Sequence, residues 1–298
     1  MSESFSRIAH KPFILAAGQL ATGEPLFLRG DVRVGEGSET VSSTRPKPVL
    51  VICHGFKGFK DWGFFPYAAN RFAEEGFYTI TFNFSCNGVA ETDFDELNKF
   101  ALNTYSREQN DLAILLEAAR SKQLPLSSHA DTGRVLLLGH SRGGGSSILY
   151  AADHPDEVKA MVTWNGIAKA DLFDDAFKEQ IASHGVAYVA NARTKQEMPI
   201  RSTFYEDLEQ HGERYHIVKR LSELTLPVLL VQGDQDSPRL VEGFEAMRLG
   251  ATQHKAAIIA GGNHTLGAVH PFVTTTPFLE EAIRLTVQFF KKAIDPSI

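Results

Sequence analysis

The chain has 298 residues, with 30 Lys+Arg against 36 Asp+Glu for a formal charge of −6, 43% hydrophobic and 22% charged. That composition excludes a collagenous or disordered chain, and the length lets it bury about three quarters of its unfolded surface without staples. The negative balance argues against a nucleic-acid partner or attachment to anionic lipid, and two cysteines cannot build a disulfide framework.

In chain order, Met1 to Lys11 mixes Glu3, Arg7, His10 and Lys11 with serines and lacks the apolar core of a signal peptide, so a cytoplasmic location is expected. No apolar run approaches the roughly 18 residues of a membrane span. Phe13–Ala17 and Leu26–Val34 read as strands around a turn from Gly18 to Pro25, and Gly35 to Pro48 as an exposed loop. Short apolar runs then alternate with helical spacing. The runs are Val49–Cys53, Tyr78–Phe84, Val135–Leu138, Ala160–Thr163, Val228–Val231 and Ala256–Ala260. Strands covered on both faces by crossover helices look like this. Leu112, Leu115, Leu116 and Ala119 make one helical stripe, and Ile283, Val287 and Phe290 another. The pattern predicts an α/β fold: a mostly parallel eight-stranded sheet flanked by helices. Ile167 to Leu226 is too long for a simple crossover and shows helix patterns without a convincing core strand. It is expected to be a helical cap inserted after strand 6 of one domain spanning 1–298.

Gly139-His140-Ser141-Arg142-Gly143 follows the strand ending at Leu138 and precedes the helical pattern Ile148–Ala152. A serine at a sharp strand-to-helix turn projects its hydroxyl above the sheet, and the turn demands small neighbours at Gly139 and Gly143. The helix behind it points its N-terminal dipole at charge developing there.

A serine hydroxyl needs a base to take its proton. His264, in Gly261-Gly262-Asn263-His264-Thr265, follows the last strand and shares the carboxyl edge of the sheet with Ser141. His54 reads as a turn-shaping residue bonded to nearby backbone. His140 reads as pointing away from the substrate, and His129, His184, His211 and His216 as solvated. An orienting carboxylate comes from Gly233-Asp234-Gln235-Asp236, where Asp236 is favoured and Asp234 reads as a turn-former bonded to its own backbone. The order Ser141, Asp236, His264 is that of one of the three common triad families.

On these motifs, together with His54-Gly55-Phe56 after the third strand, the chain resembles the α/β-hydrolase superfamily from about Leu26 to Ala293. The resemblance implies an oxyanion hole formed by the backbone N–H groups of Phe56 and Arg142. The run His54-Gly55-Phe56-Lys57-Gly58 looks most like the bacterial esterase branch, with its dienelactone-hydrolase-like and cinnamoyl- or feruloyl-esterase-like enzymes. It is also similar to serine peptidases on the same scaffold. Ser141 stands where true dienelactone hydrolases carry Cys, and where dehalogenases and epoxide hydrolases carry Asp. The expected activity is ester hydrolysis through an acyl-enzyme, with a peptidase, amidase or thioesterase as the alternative and a non-catalytic binder as the second. A small-molecule ester is the expected substrate of a monomer or homodimer, with no cofactor and no metal.

Trp164 and Asn165, ending the sixth strand, are candidates for the substrate pocket. The crowd Phe56, Phe59, Trp62, Phe64, Phe65 and Tyr67 reads either as an aromatic pocket wall or as packing for the following helix, with packing favoured for most of them. Cys53 and Cys86 read as small buried packing groups. The glycosylation sequon at Asn263 is read as fortuitous in a cytosolic catalytic loop.

Overall fold

The structure is a computed structural model, which describes residues 7–36, 45–295 and 297. Most of the predicted loop from Gly35 to Pro48, and residues 1–6, lie outside the described residues.

Eight strands form one sheet in the order β1-β2-β4-β3-β5-β6-β9-β10. They are β1 (Ile8–Gln19), β2 (Pro25–Gly35), β3 (Lys47–Cys53), β4 (Tyr78–Asn83), β5 (Ala130–His140), β6 (Ala160–Trp164), β9 (Val228–Gly233) and β10 (Lys255–Ile259). The β1–β2 and β2–β4 pairs are antiparallel and all others parallel. β1 is longer than its apolar centre suggests because it pairs with β2 from Ile8↔Gly35 to Gln19↔Pro25. As an edge strand it tolerates Pro12, which has no N–H to give to a ladder.

Helices α1 (Phe65–Glu74) and α9 (Pro277–Ile294) cover one face of the sheet. α3 (Tyr105–Arg120), α4 (Arg142–Asp153) and α8 (Pro238–Gly250) cover the other, and the single turn α2 (Leu97–Phe100) precedes α3. Both helical stripes fall where their spacing predicts: Leu112, Leu115 and Leu116 are buried in one core layer, and Ile283, Val287 and Phe290 in the other. Burying each such side chain contributes roughly 1.5–3 kcal/mol. α3 starts at Thr104, whose Oγ1 accepts the Arg107 N–H at 3.1 Å.

Between β6 and β9 lie α5 (Asp175–His184), β7 (Val186–Asn191), β8 (Gln196–Arg201), α6 (Thr203–Gln210) and α7 (Ile217–Glu223). β7 and β8 form a separate antiparallel hairpin. The segment is therefore not purely helical, which corrects the expectation from its helix-like spacing. Two six-residue strands, half-exposed and interrupted by Pro199, carry little periodic signal in the sequence. Among the described residues, no helix is long and apolar enough to cross a membrane.

Register brings the working loops together. Leu138 pairs with Val162, Trp164 with Val231, and Gly233 with Ile259. The carboxyl ends of β5, β9 and β10 therefore share one edge, where α/β sheets bind ligands.

Candidate active site

β5 runs buried from Val135 to His140 and breaks at Ser141, which has φ 55° and ψ −120° before α4 begins. A non-glycine residue there costs about 1–3 kcal/mol and persists only when its surroundings hold it. They do: Ser141 N–H donates to the Trp164 carbonyl at 2.9 Å. Its own carbonyl accepts from Gly144 N at 3.0 Å and Ile167 N at 3.2 Å. The flanking glycines leave room for main chain. A Cβ on Gly139 would lie 2.3 Å from the Gly143 carbonyl oxygen, and one on Gly143 2.3 Å from that of Cys53.

His264 Nε2 lies 3.0 Å from Ser141 Oγ, and His264 Nδ1 lies 2.8 Å from Asp236 Oδ2. An ionised carboxylate only accepts, so Nδ1 carries the proton and Nε2 is left to receive the serine hydroxyl. The Asp236 side chain is 2% exposed and also accepts from Ser237 N at 2.6 Å and Gln232 Nε2 at 3.2 Å. Burial pushes its carboxyl up, but His264 and these donors outweigh burial and hold it below the ordinary carboxylate value.

Within its turn Asp234 accepts from a side chain, Gln235 Nε2 at 3.2 Å, rather than from the turn backbone as its neighbourhood suggests. Its Oδ1 accepts the Gly261 N–H at 2.7 Å and stitches the carboxylate loop to the histidine loop. Gln235 N donates to the Gly262 carbonyl at 2.9 Å beside it.

His54 behaves as its position predicts. Its Nδ1–H donates to the Gly55 carbonyl at 2.9 Å and its Nε2 accepts from Phe84 N at 3.3 Å. Burial pushes its imidazole down to about 4. His140 departs from expectation: its ring lies on the cavity wall beside His264, with centroids 4.9 Å apart, and its Nε2–H donates to the His264 carbonyl at 2.8 Å. Burial, reinforced by His264, pushes it down to about 3 and keeps it neutral.

Trp164 and Asn165 are not on the pocket wall. Trp164 is 1% exposed, packs in the core under α9 and donates Nε1–H to Thr286 Oγ1 at 2.9 Å. Asn165 is fully buried. Its Oδ1 accepts from Gly233 N at 2.8 Å, and its Nδ2 donates to the carbonyls of Asn263 at 3.2 Å and His264 at 2.9 Å. It ties three loops from beneath; a strand-end position cannot tell this role from a pocket role.

Arg142 is the first residue of α4, so its N–H has no acceptor within the helix. Its guanidinium turns inward, with Nε 2.9 Å from Glu108 Oε1 and the Tyr105 ring centroid 4.2 Å away. Phe56 lies on the cavity, its ring 5.6 Å from that of Phe100 and 5.7 Å from that of Phe173.

The cavity at Ser141 has a volume of about 410 Å³. The aromatic crowd divides there: Phe56, Trp62 and Phe65 reach the wall, while Phe59 and Phe64 are buried in the core and Tyr67 bonds Glu280 at 2.5 Å. Several wall residues carry no sequence signal of their own. Lys57 stood only within a family motif, and Phe94, Arg193 and His270 arrive from loops with no local pattern. A larger groove of about 830 Å³ between the insertion and α8 contains none of Ser141, Asp236 or His264. Cys53 and Cys86 are buried, and burial pushes both thiols up to about 12. Among the described residues no cluster of three His, Cys, Asp or Glu could hold a metal ion.

Residues 48–186 match the family model for the alpha/beta hydrolase fold. Est1E from Butyrivibrio proteoclasticus, with ferulic acid bound, superposes at TM-score 0.66 and 18% identity over 90% of this chain and 96% of its own. Alpha/beta hydrolase GrgF from a Penicillium species gives 0.67 and 16% over 96% and 99%. Dienelactone hydrolase from Anabaena variabilis gives 0.58 and 15% over 95% and 97%. An uncharacterized 31.7 kDa protein of the traX-finO intergenic region of Escherichia coli is 30% identical over 125 residues. That match spans 42% of this chain and 39% of the relative's length. Sheet order and structural likeness show that the chain has the alpha/beta hydrolase fold, and the matching family model covers just under half of it.

Proposed function

We propose that the chain is a serine hydrolase that cleaves carboxylic esters through an acyl-enzyme intermediate. The observation that carries this reading is the unbroken relay from Asp236 through His264 to Ser141, with the hydroxyl on the wall of an aromatic cavity. Ser141 Oγ attacks the ester carbonyl carbon as its proton passes to His264 Nε2. Asp236 holds the ring orientation and balances the imidazolium charge. The oxyanion is taken by the N–H groups of Phe56 and Arg142, where preorganised donors are worth about 3–4 kcal/mol each. The imidazolium then protonates the leaving alcohol, and His264 takes a proton from the water that releases the acid.

Residues 167–226 act in this reading as a cap on one hydrolase domain that selects substrates. Asn191, Ala192 and Arg193 at the hairpin tip lie on the cavity wall, which supports it. Est1E, a fold relative, has ferulic acid bound, in keeping with an ester-derived acid as ligand here.

A panel of p-nitrophenyl esters, acyl-CoAs and aminoacyl anilides tests the reading. Aryl esters are expected to turn over fastest, and Ser141→Ala to lower kcat by roughly 10³–10⁶-fold with an unchanged circular dichroism spectrum. A folded Ser141→Ala variant with near wild-type turnover refutes it.

A further inference from the structure

Lys57 is the unusual residue of the cavity wall. It has φ 56°, a region glycine enters freely and a lysine enters under strain. Its side chain is half-buried beside the Phe56 ring, with Nζ 5.8 Å from the ring centroid. Among the described residues its hydrogen-bond partner is one neutral acceptor, the Ala190 carbonyl at 3.2 Å.

The rest of the wall supplies no counter-charge. Among the described residues neither Asp nor Glu lines it. The other cation there, Arg193, is already paired with Asp93 at 2.7 Å. A partly dewatered ammonium without a counter-ion is unfavourable, and burial does push the Lys57 amine down. An anionic ligand group entering the cavity relieves that cost with a charge-assisted hydrogen bond.

We propose that Lys57 forms an anion subsite in the cavity that holds Ser141, so that the preferred substrates are esters bearing a separate ionised carboxylate. This rests on the serine-hydrolase reading above.

Mono-p-nitrophenyl adipate and p-nitrophenyl hexanoate have equal acyl length and differ in a terminal carboxylate against a methyl, so their kcat/KM ratio reads the subsite. The wild-type protein is expected to favour the adipate by about ten- to a hundredfold at low salt. The preference is expected to shrink in 0.5 M NaCl, to collapse in Lys57→Met and to survive in Lys57→Arg. Equal turnover of the two esters by wild type, or an unaltered ratio in a folded Lys57→Met variant, overturns the subsite and leaves the hydrolase reading standing. Should Lys57→Met not fold, the wild-type ratio alone decides. Absence of turnover on both esters, with no fluorophosphonate adduct on Ser141, overturns both readings together.

Discussion

His140 Nε2–H donates to the main-chain carbonyl of His264 at 2.8 Å, and Asn165 Nδ2–H donates to the same oxygen at 2.9 Å. The loop bearing His264 is thus held by its backbone while its imidazole bonds Ser141 and Asp236. A residue inside the serine turn itself supports the loop that carries the proposed base.

Acidification tests the burial of His140. The ordinary histidine value of 6.5 lies above the native values of about 3 for His140 and about 4 for His54. Below pH 6.5 the unfolded chain takes up protons that the native protein excludes, so both imidazoles make stability fall as the pH drops. Asp111, whose carboxyl burial raises from 3.8 to about 7, works the other way between those values, because its native form keeps a proton the unfolded chain releases. His140→Asn shares the other two groups with wild type. Its unfolding free energy, from urea titrations at pH 4.5–6, is expected to fall less steeply by about 1 kcal/mol per pH unit. Parallel curves would show that His140 protonates freely in the native protein.

Asn165→Leu keeps the volume and removes the amide. It leaves the Gly233 N–H without its acceptor, a loss of about 1–3 kcal/mol in stability, while the Asn263 and His264 carbonyls keep the Leu266 N–H and His140 Nε2–H as donors. Because Asn165 is off the cavity wall, kcat on an aryl ester is expected to fall with little change in KM. A raised KM at unchanged kcat would put Asn165 back in the pocket.

The two carboxylates of the Gly233–Asp236 turn should separate in function. Asp236→Asn is expected to cut turnover by about 10⁴-fold, the loss measured for the equivalent change in a serine protease, because an amide favours the wrong imidazole tautomer. Asp234→Asn keeps an acceptor for Gly261 N–H and is expected to cost less than about tenfold. Initial rates of both variants on one aryl ester decide; equal losses would mean Asp234 shares the orienting task.

The sequence made the sheet and the meeting of the three loops legible because those signals are local. Buried runs ending in glycine-rich turns announce strands and their carboxyl edge, and Gly139 and Gly143 announce a crowded turn around Ser141. What stayed hidden depends on tertiary placement. His140 and Asn165 sit at strand ends that look alike whether a side chain faces the cavity or the loop beneath it. Lys57 and Arg193 reach one wall from positions far apart in the chain. The β7–β8 hairpin lacks the continuous burial that marks a strand of the main sheet.

Incubation with a fluorophosphonate probe, followed by peptide mass spectrometry, tests most directly whether Ser141 is an activated nucleophile. A single stoichiometric adduct on Ser141, absent in His264→Ala, is the result predicted by a hydroxyl bonded to His264 at 3.0 Å. An unlabelled Ser141 in folded wild-type protein, or equal labelling without His264, would contradict the account.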